Sequence, residues 1–201
     1  EGNPWTLKIR DDAAHGIGSF LARFHGVLSK EAPAGKLNPL REDHPDALQP
    51  TLDQLRQRES HLESKQQLAT INVLLEQGRT ELETALYPQL PRAVIHGDFH
   101  PGNVRFRGSE VAALYDFDYL SVQARVRDIV DALMFFASDR PSPFDPDDIR
   151  SLTQPFTPNF AASREVLAGY QSISPLADAE WQSLPLLLRS RWIQMRLRGS
   201  R

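Results

Sequence analysis

Two short stretches decide the fold of this chain. Residues 96–103 read HGDFHPGN, and residues 114–120 read LYDFDYL. Each lies beside short runs rich in β-branched and aromatic residues, AVI, NVRF and VAAL, which Pro101-Gly102 and Gly108-Ser109 interrupt. Such runs bounded by turn residues are typical of short strands joined by tight loops. We therefore predict a small β centre that presents Asp98 in a loop and Asp116 at the end of a strand.

The polar residues of these stretches form a chemically coherent set. A hairpin that runs from Asn103 back to Asp116 would bring a neutral and a charged oxygen ligand together. Oxygen ligands without cysteine suit Mg²⁺, which keeps its remaining positions for phosphates and water. Asp98 is then available to accept a proton from a hydroxyl. A base and two oxygen ligands are the parts that phosphoryl transfer needs.

With these residues in view, HGDFHPGN followed by LYDFD resembles the aminoglycoside phosphotransferase and choline kinase family, small-molecule relatives of the protein kinases. The resemblance implies that Asp98 is the catalytic base and that Asn103 and Asp116 bind Mg²⁺ and, through it, ATP. It implies that His96 braces the loop and that Asp128, in RVRDIVDAL, supports it. The early FLARFH and the tail from residue 167 are similar to the homoserine-kinase-like and stress-response-kinase branches. The resemblance implies an ATP- and Mg²⁺-dependent kinase acting on a hydroxyl of a small molecule.

Other interpretations of the same residues stay open. His96, Asp98 and His100 form His-x-Asp-x-His, which could hold a transition metal for a hydrolase. A kinase-like binding module without turnover is a third hypothesis, although an intact set of site residues argues against it. His100 and Asp118 are possible substrate or metal contacts. Asp118 takes the place of the glycine in the protein kinases' Asp-Phe-Gly.

Helical patterns flank this β centre. An apolar stripe predicts a helix over 11–29 with Asp11 or Asp12 as N-cap, and similar patterns predict helices within 51–87, 125–138, 160–172 and 177–198. Residues 30–50 contain four prolines and are predicted to form a loop. Gly16-x-Gly18 lacks the strand and third glycine of a phosphate-binding turn. The fold class is predicted as α+β and mostly helical, the C-terminal lobe of a protein-kinase-like fold with a small central β hairpin.

The composition limits the kinds of partner that this chain is expected to bind. The net charge of −3 argues against nucleic acid and anionic membranes, and no apolar run approaches the ~20 residues of a membrane span. The absence of cysteine excludes disulfides and suits the cytoplasm. Residues 1–201 contain neither a glycine-rich strand turn nor a strand lysine that could cover phosphates. We therefore expect them to be one catalytic lobe that lacks its nucleotide-covering N-terminal lobe and is inactive alone.

Overall fold

The computed structural model describes residues 7–31, 45–58, 60–81, 86–142, 145, 148, 151 and 154–199. Within these residues the chain is mostly helical and its strands are short. The helices are α1 (Leu7–Glu31), α2 (Pro45–Arg58), α3 (Leu62–Glu81), α4 (Val126–Phe136), α5 (Phe160–Gln171) and α6 (Asp178–Gly199). The predicted α+β, mostly helical class is confirmed. None of these described helices has the length and apolarity needed to cross a bilayer.

The described strands form three two-stranded antiparallel sheets. They are β1 (Arg92–Ile95), β2 (Val104–Arg107), β3 (Glu110–Leu114), β4 (Ser121–Ala124), β5 (Ser138–Asp139) and β6 (Thr157–Pro158). β2 and β3 form the predicted hairpin, β1 pairs with β4, and β5 pairs with β6. β4 was not predicted; it aligns Ser121 with Ile95 and so closes the segment that follows LYDFDYL back onto β1.

The chain divides into two compact units. The first comprises Glu1–Leu40 and Pro91–Ala177, and the second comprises Arg41–Leu90 and Asp178–Arg201. In the second unit, α2, α3 and α6 bury an aliphatic cluster of Leu48, Leu52, Leu75 and Ile193. The first unit contains both motif stretches, all six strands, and helices α1, α4 and α5.

Glycines allow α1 and α5 to approach closely. A Cβ on Gly18 would lie 1.9 Å from the Val166 carbonyl oxygen, and a Cβ on Gly169 would lie 2.0 Å from the His15 carbonyl oxygen. The Ser19 hydroxyl also donates to the Gly169 carbonyl oxygen at 3.2 Å. The glycines of HGIG therefore have a packing role inside a helix.

The boundaries of the first two helices differ from the sequence predictions. α1 begins at Leu7, so neither Asp11 nor Asp12 is its N-cap. α2 begins at Pro45 within the predicted loop and continues through Pro50. Proline is well suited to a first helical turn, and the burial of Leu48 and Leu52 offsets the hydrogen bond that Pro50 cannot donate. The helical region predicted over 51–87 is divided between α2 and α3; residues 82–85 lie outside the described residues.

Candidate active site

The loop after β1 presents Asp98 at the edge of the first unit. β1 ends at Ile95, and a short 3-10 helix, Pro101–Asn103, leads into β2. The Asp98 side chain is 29% exposed, whereas Phe99 beside it is fully buried. Alternation of an outward carboxylate and an inward aromatic ring fixes the loop to the core while keeping the carboxylate accessible.

Asn103 lies against Asp98. Its amide nitrogen Nδ2 donates to the Asp98 backbone oxygen at 2.9 Å and lies 3.4 Å from Asp98 Oδ2. Asn103 itself is buried, with 9% of its surface exposed. Because the nitrogen of the amide is turned to Asp98, the oxygen Oδ1 is the atom available as a ligand.

The β2–β3 hairpin returns the chain to Asn103. Val104 aligns with Leu114, and the Tyr115 amide donates to the Asn103 backbone oxygen at 2.9 Å. Asp116 follows with an exposed side chain and a φ of 59°, the left-handed conformation that aspartate tolerates better than most residues. The structure thus brings Tyr115, the residue before Asp116, against the backbone of Asn103. Asp118 lies exposed in the turn that follows.

His96 connects the two motif stretches. Its Nε2 lies 2.8 Å from the Tyr115 backbone oxygen, and its Nδ1 accepts a hydrogen bond from the Asp98 amide at 3.3 Å. These partners require the proton on Nε2 and the lone pair on Nδ1. One buried ring therefore sets the separation between the loop that carries Asp98 and the segment that carries Asp116.

Asp128, in the first turn of α4, fixes the start of the loop. Its carboxylate is fully buried and accepts hydrogen bonds from the His96 amide at 2.7 Å and the Gly97 amide at 2.9 Å. Burial alone would raise the pKa of Asp128. The hydrogen bond and the attraction from His25, together with the hydrogen bonds from the two amides, lower the pKa by more than burial raises it, so the net shift is downward. Asp128 is therefore a stable anion that holds two successive backbone amides.

His25 and Tyr170 complete this anchor, and sequence reasoning assigned neither a role. His25 Nε2 lies 3.1 Å from Asp128 Oδ2, and His25 Nδ1 lies 2.9 Å from the Tyr170 hydroxyl. All three side chains are almost fully buried. The only sequence signal was that His25 ends FLARFH. The link to Asp128 spans 103 residues and is visible only in the fold.

Gly97 is a position in the site where a side chain does not fit. Its φ is +81°, and a Cβ there would lie 2.6 Å from the Tyr119 carbonyl oxygen. Left-handed backbone already favours glycine, and the close carbonyl leaves no room for a side chain. The loop and the turn after Asp116 are therefore in direct contact at Gly97.

The described structure does not support a metal centre made of His96, Asp98 and His100. Both ring nitrogens of His96 are occupied by backbone groups. His100 directs Nδ1 to the Gly102 amide at 3.1 Å, and only its Nε2 approaches Asp98. Across the described ranges, no group of three histidine, cysteine, aspartate or glutamate side chains is arranged to hold a metal ion. The two rings contact different groups of Asp98, the amide for His96 and the carboxylate for His100.

Comparison with known proteins identifies the family. A model described as "Phosphotransferase enzyme family" (APH) matches residues 2–187. The chain belongs to this family. The family resemblance predicted from HGDFHPGN and LYDFD is confirmed.

Individual curated relatives and solved structures are similar to this chain over different lengths. Homoserine kinase of Acidiphilium cryptum (strain JF-5) is 34% identical over 122 residues, which make up 59% of this chain and 34% of that enzyme. An aminoglycoside phosphotransferase from Alicyclobacillus acidocaldarius subsp. acidocaldarius DSM 446 superposes with a TM-score of 0.65 at 15% identity, covering 98% of this chain and 57% of the other.

The amicoumacin kinase hAmiN, solved in complex with AMP-PNP, Ca²⁺ and Ami, superposes with a TM-score of 0.62 at 16% identity. That match covers 96% of this chain and 53% of the other. The likeness of these solved structures concerns the fold. The chain spans between about a third and somewhat more than half the length of these three proteins.

Proposed function

We propose that this protein is a kinase that transfers the γ-phosphoryl group of ATP to a hydroxyl of a small molecule. One observation carries the proposal: the loop with Asp98 and Asn103 is hydrogen-bonded, through Asn103 and His96, to the segment that leads into Asp116. Membership of the phosphotransferase enzyme family supports it. So do the names of its relatives, which include a homoserine kinase and a kinase solved with the ATP analogue AMP-PNP.

In this proposal Asp98 is the catalytic base. Its carboxylate is partly exposed, so an incoming hydroxyl can reach it, and its backbone is held on both sides by His96 and Asn103. As the hydroxyl oxygen forms a bond to the γ-phosphorus, the bond from that phosphorus to the ADP oxygen breaks and Asp98 takes the hydroxyl proton. Positioning of the two reactants supplies most of the rate in such reactions.

The residues present fit a hard divalent cation such as Mg²⁺. Asn103 offers the neutral oxygen Oδ1 because its Nδ2 is turned to Asp98. Asp116 offers an exposed carboxylate on the residue that follows Tyr115, whose amide binds the Asn103 backbone oxygen. When bound, Mg²⁺ neutralises charge on the phosphate oxygens of the nucleotide. Asn103 and Asp116 would hold it, and the left-handed backbone of Asp116 would direct the carboxylate away from the core.

We assign His96 and Asp128 to positioning. Asp128 fixes the amides of His96 and Gly97, and the His96 ring fixes the distance from that loop to Tyr115. Residues 1–201 would then act as the catalytic, C-terminal lobe of a cytoplasmic kinase. The presence of a homoserine kinase among the relatives makes a hydroxylated amino acid the first acceptor to assay, followed by choline, sugars and aminoglycosides.

The substitution D98N in the full-length protein tests the base. Asparagine keeps the shape of the side chain but accepts a proton poorly, so kcat should fall by roughly 10²–10⁴-fold while the KM for ATP stays nearly unchanged. The measurement is phosphate transfer from ATP to the panel of acceptors, detected as the release of ADP. D12N, the same change on an exposed carboxylate of α1, is the matched control and should leave kcat unaltered. Turnover of D98N within a factor of about two of wild type would exclude Asp98 as the base.

A further inference from the structure

His100 faces Asp98 across the tight loop. Its Nε2 lies 3.2 Å from Asp98 Oδ2, and its Nδ1 lies 3.1 Å from the amide of Gly102. The ring is almost fully buried, with 8% of the residue exposed. It therefore lies behind the Asp98 carboxylate and inside the loop.

The partners of the ring determine where its proton lies. The Gly102 amide can only donate, so Nδ1 accepts, and a neutral imidazole then carries its proton on Nε2. Nε2–H points to the Asp98 carboxylate, and an ionised carboxylate acts only as a hydrogen-bond acceptor. Asn103 Nδ2, 3.3 Å from Nε2, is a second donor and is satisfied instead by the Asp98 backbone oxygen at 2.9 Å.

The ring cannot turn freely. Phe135 of α4 meets it edge to face, with the ring centroids 5.8 Å apart. Phe135 is covered in turn by the Arg140 guanidinium, 5.4 Å from the centroid. Burial lowers the pKa of Arg140 to about 10, which leaves it charged at neutral pH. His100 is thus held by packing on its face and by a backbone amide at one nitrogen.

We propose that His100 is a positioning residue for the catalytic base: its Nε2–H binds Asp98 Oδ2 and fixes the rotation of the carboxylate. This inference rests on the proposed function. The role differs from the substrate or metal contact that the sequence alone left open for His100.

Three substitutions separate this role from simple support of the loop. In H100Q the side-chain nitrogen can reach the place of Nε2 and donate to Asp98. In H100N the side-chain oxygen can replace Nδ1 as acceptor for the Gly102 amide but no donor reaches Asp98. H100A loses both interactions. H15Q, the same change on an exposed histidine of α1, is the control for loss of an imidazole elsewhere.

The experiment measures kcat and KM for each full-length variant, with ATP, Mg²⁺ and the best acceptor. We expect H100Q to retain most of the wild-type kcat and H100N and H100A to lose roughly tenfold to a hundredfold, because a hydrogen bond to a charged group and the orientation of a reacting group are each worth that much. The KM for ATP and the Mg²⁺ concentration for half-maximal rate should stay at their wild-type values. The opposite order, with H100N active and H100Q impaired, would overturn the proposal in favour of a loop cap.

A second measurement does not depend on turnover. Long-range ¹H–¹⁵N correlation on protein labelled at histidine reports which ring nitrogen is protonated. We expect the Nε2–H tautomer for His100 in the wild type at neutral pH, and the Nδ1–H tautomer would overturn the assignment. If wild type transfers no phosphate to any acceptor while the tautomer is as expected, the proposed function fails and the hydrogen bond to Asp98 stands.

Discussion

Adding one methyl group at Gly97 tests whether the loop and the turn after Asp116 must touch. In G97A the new Cβ would lie 2.6 Å from the Tyr119 carbonyl oxygen, whereas ordinary contact begins near 3.4 Å. The two segments must therefore separate by about 0.8 Å, or the φ of +81° must change. A left-handed alanine costs about 1–2 kcal/mol, and forcing backbone apart adds about 1–3 kcal/mol, so we expect G97A to destabilise the protein by ~3 kcal/mol.

Gly108 offers a matched control. Its φ is +61°, but a Cβ there meets nothing within 4 Å. G108A should therefore show the conformational cost alone, about 1–2 kcal/mol. The difference between the two variants isolates the contact with Tyr119.

The two assays are urea unfolding and phosphate transfer by the full-length protein. Because displacement of a catalytic group by about 1 Å can cost ~10²-fold in rate, G97A should lose kcat on that order even where it is fully folded, and G108A should not. Equal losses of stability and equal kcat in the two variants would refute the argument that Gly97 keeps the site in register.

Three further predictions concern the close contact of α1 with α5, the proposed metal ligands, and Asp128. In thermal unfolding, G18A should destabilise the protein by ~3 kcal/mol, because its Cβ would lie 1.9 Å from a carbonyl oxygen of α5. G26A in the same helix should stabilise the protein by about 0.5–1 kcal/mol, because its Cβ meets nothing within 4 Å. D116A should weaken Mg²⁺-dependent nucleotide binding more than N103A does, because it removes a charged ligand; calorimetry showing the same Mg²⁺ dependence as wild type would contradict the metal role. D128N should lower the free energy of unfolding by about 1–3 kcal/mol at pH 7, because the buried amides of His96 and Gly97 lose a charged acceptor. Because the pKa of Asp128 is lowered in the folded state, that contribution is complete above the unfolded pKa of about 3.9. In urea titrations the gap between wild type and D128N should begin to narrow near pH 4 and close as the pH falls through the lower folded-state pKa.

Local patterns in the sequence predicted much of the centre. Turn residues and β-rich runs predicted the β2–β3 hairpin, which aligns Val104 with Leu114 and so returns the chain to Asn103. These are short-range effects, which a sequence expresses directly. The start of α1 at Leu7, four residues before Asp11, was not predicted. Pro50 obscured α2, where buried leucines decide the outcome.

The contacts of His25 and Tyr170, and the orientations of the histidine rings in the loop, were beyond sequence reasoning. His25 contacts Asp128 across 103 residues and Tyr170 across 145. His100 gave a metal-like spacing with His96, but the backbone turns the two rings toward different partners. Such orientations depend on tertiary packing, and no local pattern encodes them.

The close crossing of α1 and α5 has a consequence during synthesis. Ser19 and its partner Gly169 are 150 residues apart. At about 5–20 residues per second, α1 is out of the ribosome for roughly 8–30 s before α5 has been made. During that time the buried side of α1, with Ile17 and Leu21, has no native partner on α5. The nascent chain is therefore exposed to aggregation during that interval, and a chaperone that holds apolar helices should bind α1 and release it when α5 emerges.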